Sequence, residues 1–95
     1  MAPNVTQSPQ SVTVVAGSDI MLECRAAGDP IPKASWLKDG RPASTVYPIV
    51  SKPGYSSLTI NYTNTGDSGS YQCKFTNIKG SALSDVAIVT VNGKA

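Results

Sequence analysis

The sequence predicts an all-β fold: a sandwich or barrel of about seven to nine short strands. Three observations point there. No window sustains apolar residues at i, i+3, i+4 and i+7, the helical spacing. Short runs alternate apolar with polar residues instead, and Gly, Pro, Asn and Asp punctuate them every 8–12 residues or so. Each run has one apolar face, so each covers a core from one side only.

The elements follow in order. Val12, Val14 and Ala16 alternate, and Gly17-Ser18-Asp19 turns the chain. Ile20, Leu22 and Cys24 alternate next, with Met21 and Glu23 between them. Gly28-Asp29-Pro30-Ile31-Pro32 is not regular strand, because Pro30 and Pro32 lack the N–H that a ladder needs. Trp36 sits in a short strand that ends at Asp39-Gly40, a strong hairpin-turn pair. Residues 46–50 are β-prone but carry Pro48, which predicts an edge strand. Lys52-Pro53-Gly54 is a turn, and Leu58 and Ile60 then alternate with Thr59 and Asn61. Tyr71, Cys73 and Phe75 alternate with Gln72, Lys74 and Thr76. Asn77-Ile78-Lys79-Gly80 is a four-residue hairpin loop, and Ala87, Val89 and Val91 close the chain.

Composition narrows the chemistry. The chain has 95 residues and 9.9 kDa, room for one domain, and no internal repeat or low-complexity segment. It has no histidine, which excludes His-based triads, dyads and metal sites. Two cysteines fall short of a structural zinc site. The six acids show no paired acid–base spacing and no calcium-loop pattern. We therefore expect no enzyme activity, cofactor or metal. Net charge is +2, with the eight basic residues scattered singly, so neither nucleic acid nor an anionic membrane is an expected partner. No apolar run reaches the roughly 18 residues of a membrane span. Charged residues make up 15% of the chain, low against roughly 25% in an average domain. Cys24 and Cys73 enclose a long loop, and a bond between them is worth on the order of 4 kcal/mol in an oxidising compartment. In a reducing one, the pair serves as two small hydrophobes.

Four features coincide: Cys24, then Trp36, then Cys73, with Asp67-Ser68-Gly69-Ser70-Tyr71-Gln72-Cys73 spelling D-x-G-x-Y-x-C. This constellation resembles the immunoglobulin domain. Gly28-x-Pro30-x-Pro32, Trp36-Leu37-Lys38-Asp39-Gly40, Leu58-x-Ile60 and Asn77-x-x-Gly80 resemble its intermediate set. The resemblance covers residues 3–92 and implies one Greek-key β-sandwich domain of two antiparallel sheets. It also implies a Cys24–Cys73 disulfide joining the sheets, Trp36 packed over it, and Leu58 in the core. Tyr71 is to return its hydroxyl to the backbone near the Asp67 turn, where Gly69 relieves crowding. The start Met1-Ala2-Pro3 and the polar end suggest a module excised from a larger multidomain protein.

Three positions depart from the family pattern. Phe75 stands where Ala is usual. Thr63 stands where strand alternation usually brings Val, so Tyr62 or Thr63 must change parity. The segment from Gly80 to Val89 is one residue longer than usual, which predicts a bulge, a longer hairpin loop or a longer entry to the last strand. We expect Ala87, Val89 and Val91 to face inward; the other register would bury Val86, Ile88 and Thr90.

Candidate sites lie on the surface. Asn4-Val5-Thr6 and Asn61-Tyr62-Thr63 are N-glycosylation triplets in a secreted protein. Alternation puts Asn61 on the outer face of the sheet that carries Cys24. On the other sheet, Leu37, Gln72, Lys74, Thr76, Ile88 and Thr90 are expected to face solvent, and its apolar members mark an interface. The 28–32 and 77–80 loops lie at one end, where the family often meets a neighbouring domain or a ligand. Two functions are compatible with this reading. One is an extracellular or cell-surface module for adhesion, protein recognition or receptor ligand binding. Its partners are other proteins, including a second copy of itself, and adjoining immunoglobulin or fibronectin-type domains. The other is a cytoplasmic structural module of a giant muscle or cytoskeletal protein.

Overall fold

A computed structural model describes residues 1–43 and 47–93. Its strands are β1 (Asn4–Gln7), β2 (Val12–Val15), β3 (Ile20–Ala27), β4 (Lys33–Lys38), β5 (Arg41–Pro42), β6 (Ile49–Lys52), β7 (Tyr55–Ile60), β8 (Gly69–Asn77), β9 (Gly80–Leu83) and β10 (Ala87–Asn92). One 3-10 turn, Thr65–Asp67, precedes β8. Four strands form one sheet in the order β1-β3-β7-β6. The other six form the second sheet, β2-β10-β8-β4-β5, with β9 also paired to β8.

The described strands number ten rather than seven to nine, for physical reasons. The first strand is divided between the sheets: β1 pairs with β3, and β2 pairs with β10. The last is divided by the predicted bulge, which falls at residues 84–86 between β9 and β10. The sheets are not wholly antiparallel either. β2 runs parallel to β10, because the chain crosses over between β1 and β2 without reversing.

Local chemistry sets the turns. Asp39 (φ 53°) and Gly40 (φ 79°) both take positive φ, the geometry of a tight hairpin between β4 and β5. Pro53-Gly54 joins β6 to β7, with Gly54 at φ 70°. β6 is an edge strand that starts just after Pro48, as expected; Val46, the start of the predicted stretch, lies outside the described residues.

Alternation then builds the core. Ile20, Leu22, Cys24, Leu58 and Ile60 face inward from one sheet, and Trp36, Tyr71, Cys73, Phe75, Ala87, Val89 and Val91 from the other. The bulge keeps Ala87, Val89 and Val91 inward, the expected register. Strand β7 stops at Ile60, one residue short of the expected Asn61. Tyr62 then takes φ 52°, turns outward and sends Thr63 into the interior. That is the parity change the sequence required.

Candidate functional site

The centre of the sandwich is a scaffold. Cys24 and Cys73 are bonded across the sheets, with Cα atoms 6.7 Å apart. Trp36 pairs with Cys73 in register, and its Nε1–H donates to Ser56 Oγ at 2.9 Å. The Tyr71 hydroxyl donates to the Asp67 carbonyl at 2.6 Å. The Asp67 carboxylate is also engaged: Oδ1 accepts from the Tyr47 hydroxyl and Oδ2 from the Asn64 N–H, both at 2.9 Å. Burial raises the Tyr71 phenol above the ordinary tyrosine range, and the hydrogen-bonded Tyr47 adds to it. Gly69 leaves room for the Asp39 carboxylate, whose Oδ1 accepts from the Ser70 N–H at 2.9 Å. A Cβ on Gly69 would lie 2.9 Å from that oxygen. Leu58 is fully buried. These side chains hold one another. Among the described residues, no three His, Cys, Asp or Glu side chains gather as metal ligands would.

The outer face of the six-stranded sheet is different. Register puts Leu37 beside Gln72, Lys74 beside Leu83, Thr76 beside Ser81 and Ile88 beside Ser70. Lys74, Thr76 and Ile88 are exposed as expected. Leu37, Gln72 and Thr90 are only half-buried rather than open to solvent. Strand β5 flanks Leu37 through Pro42, Gln72 Nε2 folds onto the Ser84 carbonyl at 2.9 Å, and β2 flanks Thr90 through Thr13.

Two apolar residues join the face that sequence reading did not select. Leu83 is 54% exposed and Val86 46%, beside Ile88 at 48%. Leu83 pairs with outward-facing Lys74, and Val86 precedes inward-facing Ala87. Buried Ser84 anchors the bulge: its Oγ accepts from the Cys73 N–H at 3.0 Å and donates to the Asp85 carbonyl at 2.9 Å. The extra residue between Gly80 and Val89 was the available signal.

The remaining candidates are peripheral. Asn4 and Asn61 are both exposed, the first on β1 and the second just past β7. The 28–32 and 77–80 loops do meet: Asn77 Nδ2 donates to the carbonyls of Pro30 and Met1, each at 2.9 Å. Ile31 and Ile78 are exposed at that end.

A family model described as an immunoglobulin domain matches residues 2–77. Mouse hemicentin-2 is 38% identical over 93 residues, which span 98% of this chain and 2% of that protein. Neural cell adhesion molecule L1 of Takifugu rubripes is 34% identical over 98 residues, spanning 95% of this chain and 8% of that protein. Among solved structures, a chimeric titin Z1Z2 carrying a decorin-derived peptide superposes with a TM-score of 0.90 at 35% identity, covering 99% of this chain and 97% of that one. The chain thus spans a small fraction of the curated relatives it matches.

Proposed function

The chain belongs to the immunoglobulin-domain family, and we propose that it is an intermediate-set member occupying residues 3–92. Its role is non-catalytic: protein recognition and cell adhesion within an extracellular or receptor protein. Adjoining domains of the immunoglobulin or fibronectin type flank it in the parent chain. One observation carries the reading: the exposed apolar group Leu83, Val86 and Ile88 on a sheet face that also presents Lys74 and Thr76. Burying apolar surface of this kind against a partner is worth about 25 cal/mol per Å². Several exposed apolar residues along one sheet face mark an interface better than single exposed residues do.

The Cys24–Cys73 bond and the likeness to a neural cell adhesion molecule support the extracellular setting. The likeness to titin supports a second reading, a cytoplasmic structural module of a muscle or cytoskeletal protein. Thiol titration of denatured protein from its native source separates them. The extracellular reading expects no free thiol; free Cys24 and Cys73 would overturn it.

The face is tested by sedimentation of the domain over a concentration series. Self-association abolished by Ile88→Asp and Leu37→Asp makes a second copy the partner. A monomer at every concentration removes a second copy as the partner of this face and leaves binding of a different protein open to test.

A further inference from the structure

One buried polar atom finds no hydrogen-bond partner among the described residues. It is Oγ1 of Thr63, a residue 2% exposed. The backbone of the residue is fully engaged: its N–H donates to the Ser18 carbonyl at 2.9 Å, and its carbonyl accepts from the Gly17 N–H at 2.6 Å. A buried hydroxyl without a partner weakens the folded state relative to an apolar group of the same shape. The hydroxyl of Thr63 therefore has no use once the domain has closed.

Its position in the chain gives it a use beforehand. Asn61-Tyr62-Thr63 is an Asn-x-Thr acceptor triplet. Glycan transfer reads two of its side chains, the Asn amide as nucleophile and the Thr hydroxyl as recognition element. The turn at Tyr62 separates them. Asn61 and Tyr62 face solvent, Tyr62 at 82% exposure, while Thr63 points inward. Neighbours fix this arrangement: the Tyr62 N–H donates to Asp19 Oδ1 at 2.9 Å, and Asn64 caps the next turn. The folded domain thus leaves the nucleophile open and the recognition element shut. The other triplet differs. Asn4 and Thr6 are both exposed, on an edge strand whose pairing is irregular between Val5 and Gln7.

We propose that Asn61 is an N-glycosylation site loaded only while this chain is unfolded, in competition with closure of the sandwich, whereas Asn4 stays accessible afterwards. The donor is an oligosaccharide carried on a lipid diphosphate. A bond forms between Asn61 Nδ2 and the anomeric carbon. The bond from that carbon to the diphosphate oxygen breaks, its electron pair leaves with the lipid diphosphate, and the Nδ2 proton passes to a base of the transferase. Once attached, the glycan fits the folded domain because Asn61 is exposed. It lies at the end of β7, in the four-stranded sheet, and leaves the Leu83–Ile88 face of the other sheet open.

In cells the site depends on the extracellular reading, but the test does not. The full chain is incubated with an oligosaccharyltransferase and a lipid-diphosphate oligosaccharide in two forms. One is folded with its disulfide intact; the other is reduced, alkylated and shown to be unfolded by near-UV circular dichroism. Occupancy of each asparagine is read by peptide mass spectrometry. Asn61 is expected to be modified in the unfolded chain. Folding should lower its rate roughly tenfold or more, because reaction then tracks the opened population. Asn4 should keep a larger share of its rate than Asn61. Thr63→Val should abolish Asn61 modification in the unfolded chain. Folded and unfolded rates for Asn61 that agree within about twofold would overturn the proposal, since no opening step would then control access. An unfolded chain that is not modified at Asn61 would overturn it as well. A cytoplasmic location would remove the donor in cells and change neither rate in vitro, so the two readings fail separately.

Discussion

The indole of Trp36 in β4 donates to the hydroxyl of Ser56 in β7, a 2.9 Å hydrogen bond that passes from one sheet to the other. Both residues are buried next to the Cys24–Cys73 bond. The sheets are thus joined twice at one level, once covalently and once by a polar contact. Ser56→Ala removes the acceptor and strands a buried N–H. The expected loss is about 1–3 kcal/mol, read as a lower urea midpoint at an unchanged m value. An unchanged midpoint would show that the indole finds another acceptor.

Thr63→Val replaces the unpartnered hydroxyl with a methyl group of the same shape. Stability should rise by about 1 kcal/mol, because the buried hydroxyl no longer forgoes its hydrogen bonds to water. Thermal denaturation checks the sign. A lower Tm would mean that Oγ1 has a partner, such as a buried water.

Tyr71 gives the fold an alkaline limit. Burial raises its phenol in the folded state, so the folded chain holds that proton longer than the unfolded chain does. The corresponding stability is complete below the unfolded value of about 10 and is lost as pH rises above it. Tyr55 acts in the same direction, through its hydrogen bond to Glu23. The urea midpoint should therefore fall as pH rises from about 10 toward 12, and fall less steeply in Tyr71→Phe. Equal slopes in the two proteins would contradict this assignment.

Alternation makes much of the fold legible. Ala87, Val89 and Val91 read as inward because valine fits a core better than the threonine of the other register. Three features were hidden for physical reasons. β1 and β2 belong to different sheets, yet Val5 is the single apolar residue of Asn4–Gln7, so no alternation marks β1. A parity change at Tyr62 or Thr63 is legible, but positive φ at a residue that is neither Gly nor Asn is not, so the sequence does not say which residue turns. The extra residue before Val89 announced a bulge, but Ser84 decides who absorbs it, through contacts to β8 and to its own neighbour. Val86 is exposed by the same parity that turns Ala87 inward, Leu83 by its pairing with outward-facing Lys74, and Leu37 is half-covered because β5 flanks it. Side chains assigned by parity were legible; those set by tertiary contacts at an irregularity were not.

The central claim is that this domain meets its protein partner through the outer face of the six-stranded sheet. The direct measurement places a photo-crosslinking residue at Ile88 or at Met21 in the full-length protein, in its native setting. Both positions are exposed, on the outer faces of opposite sheets. Crosslinking to a protein partner from Ile88, abolished by Leu83→Asp and absent from Met21, is the expected result. Crosslinking from Met21 but not from Ile88 would contradict the claim.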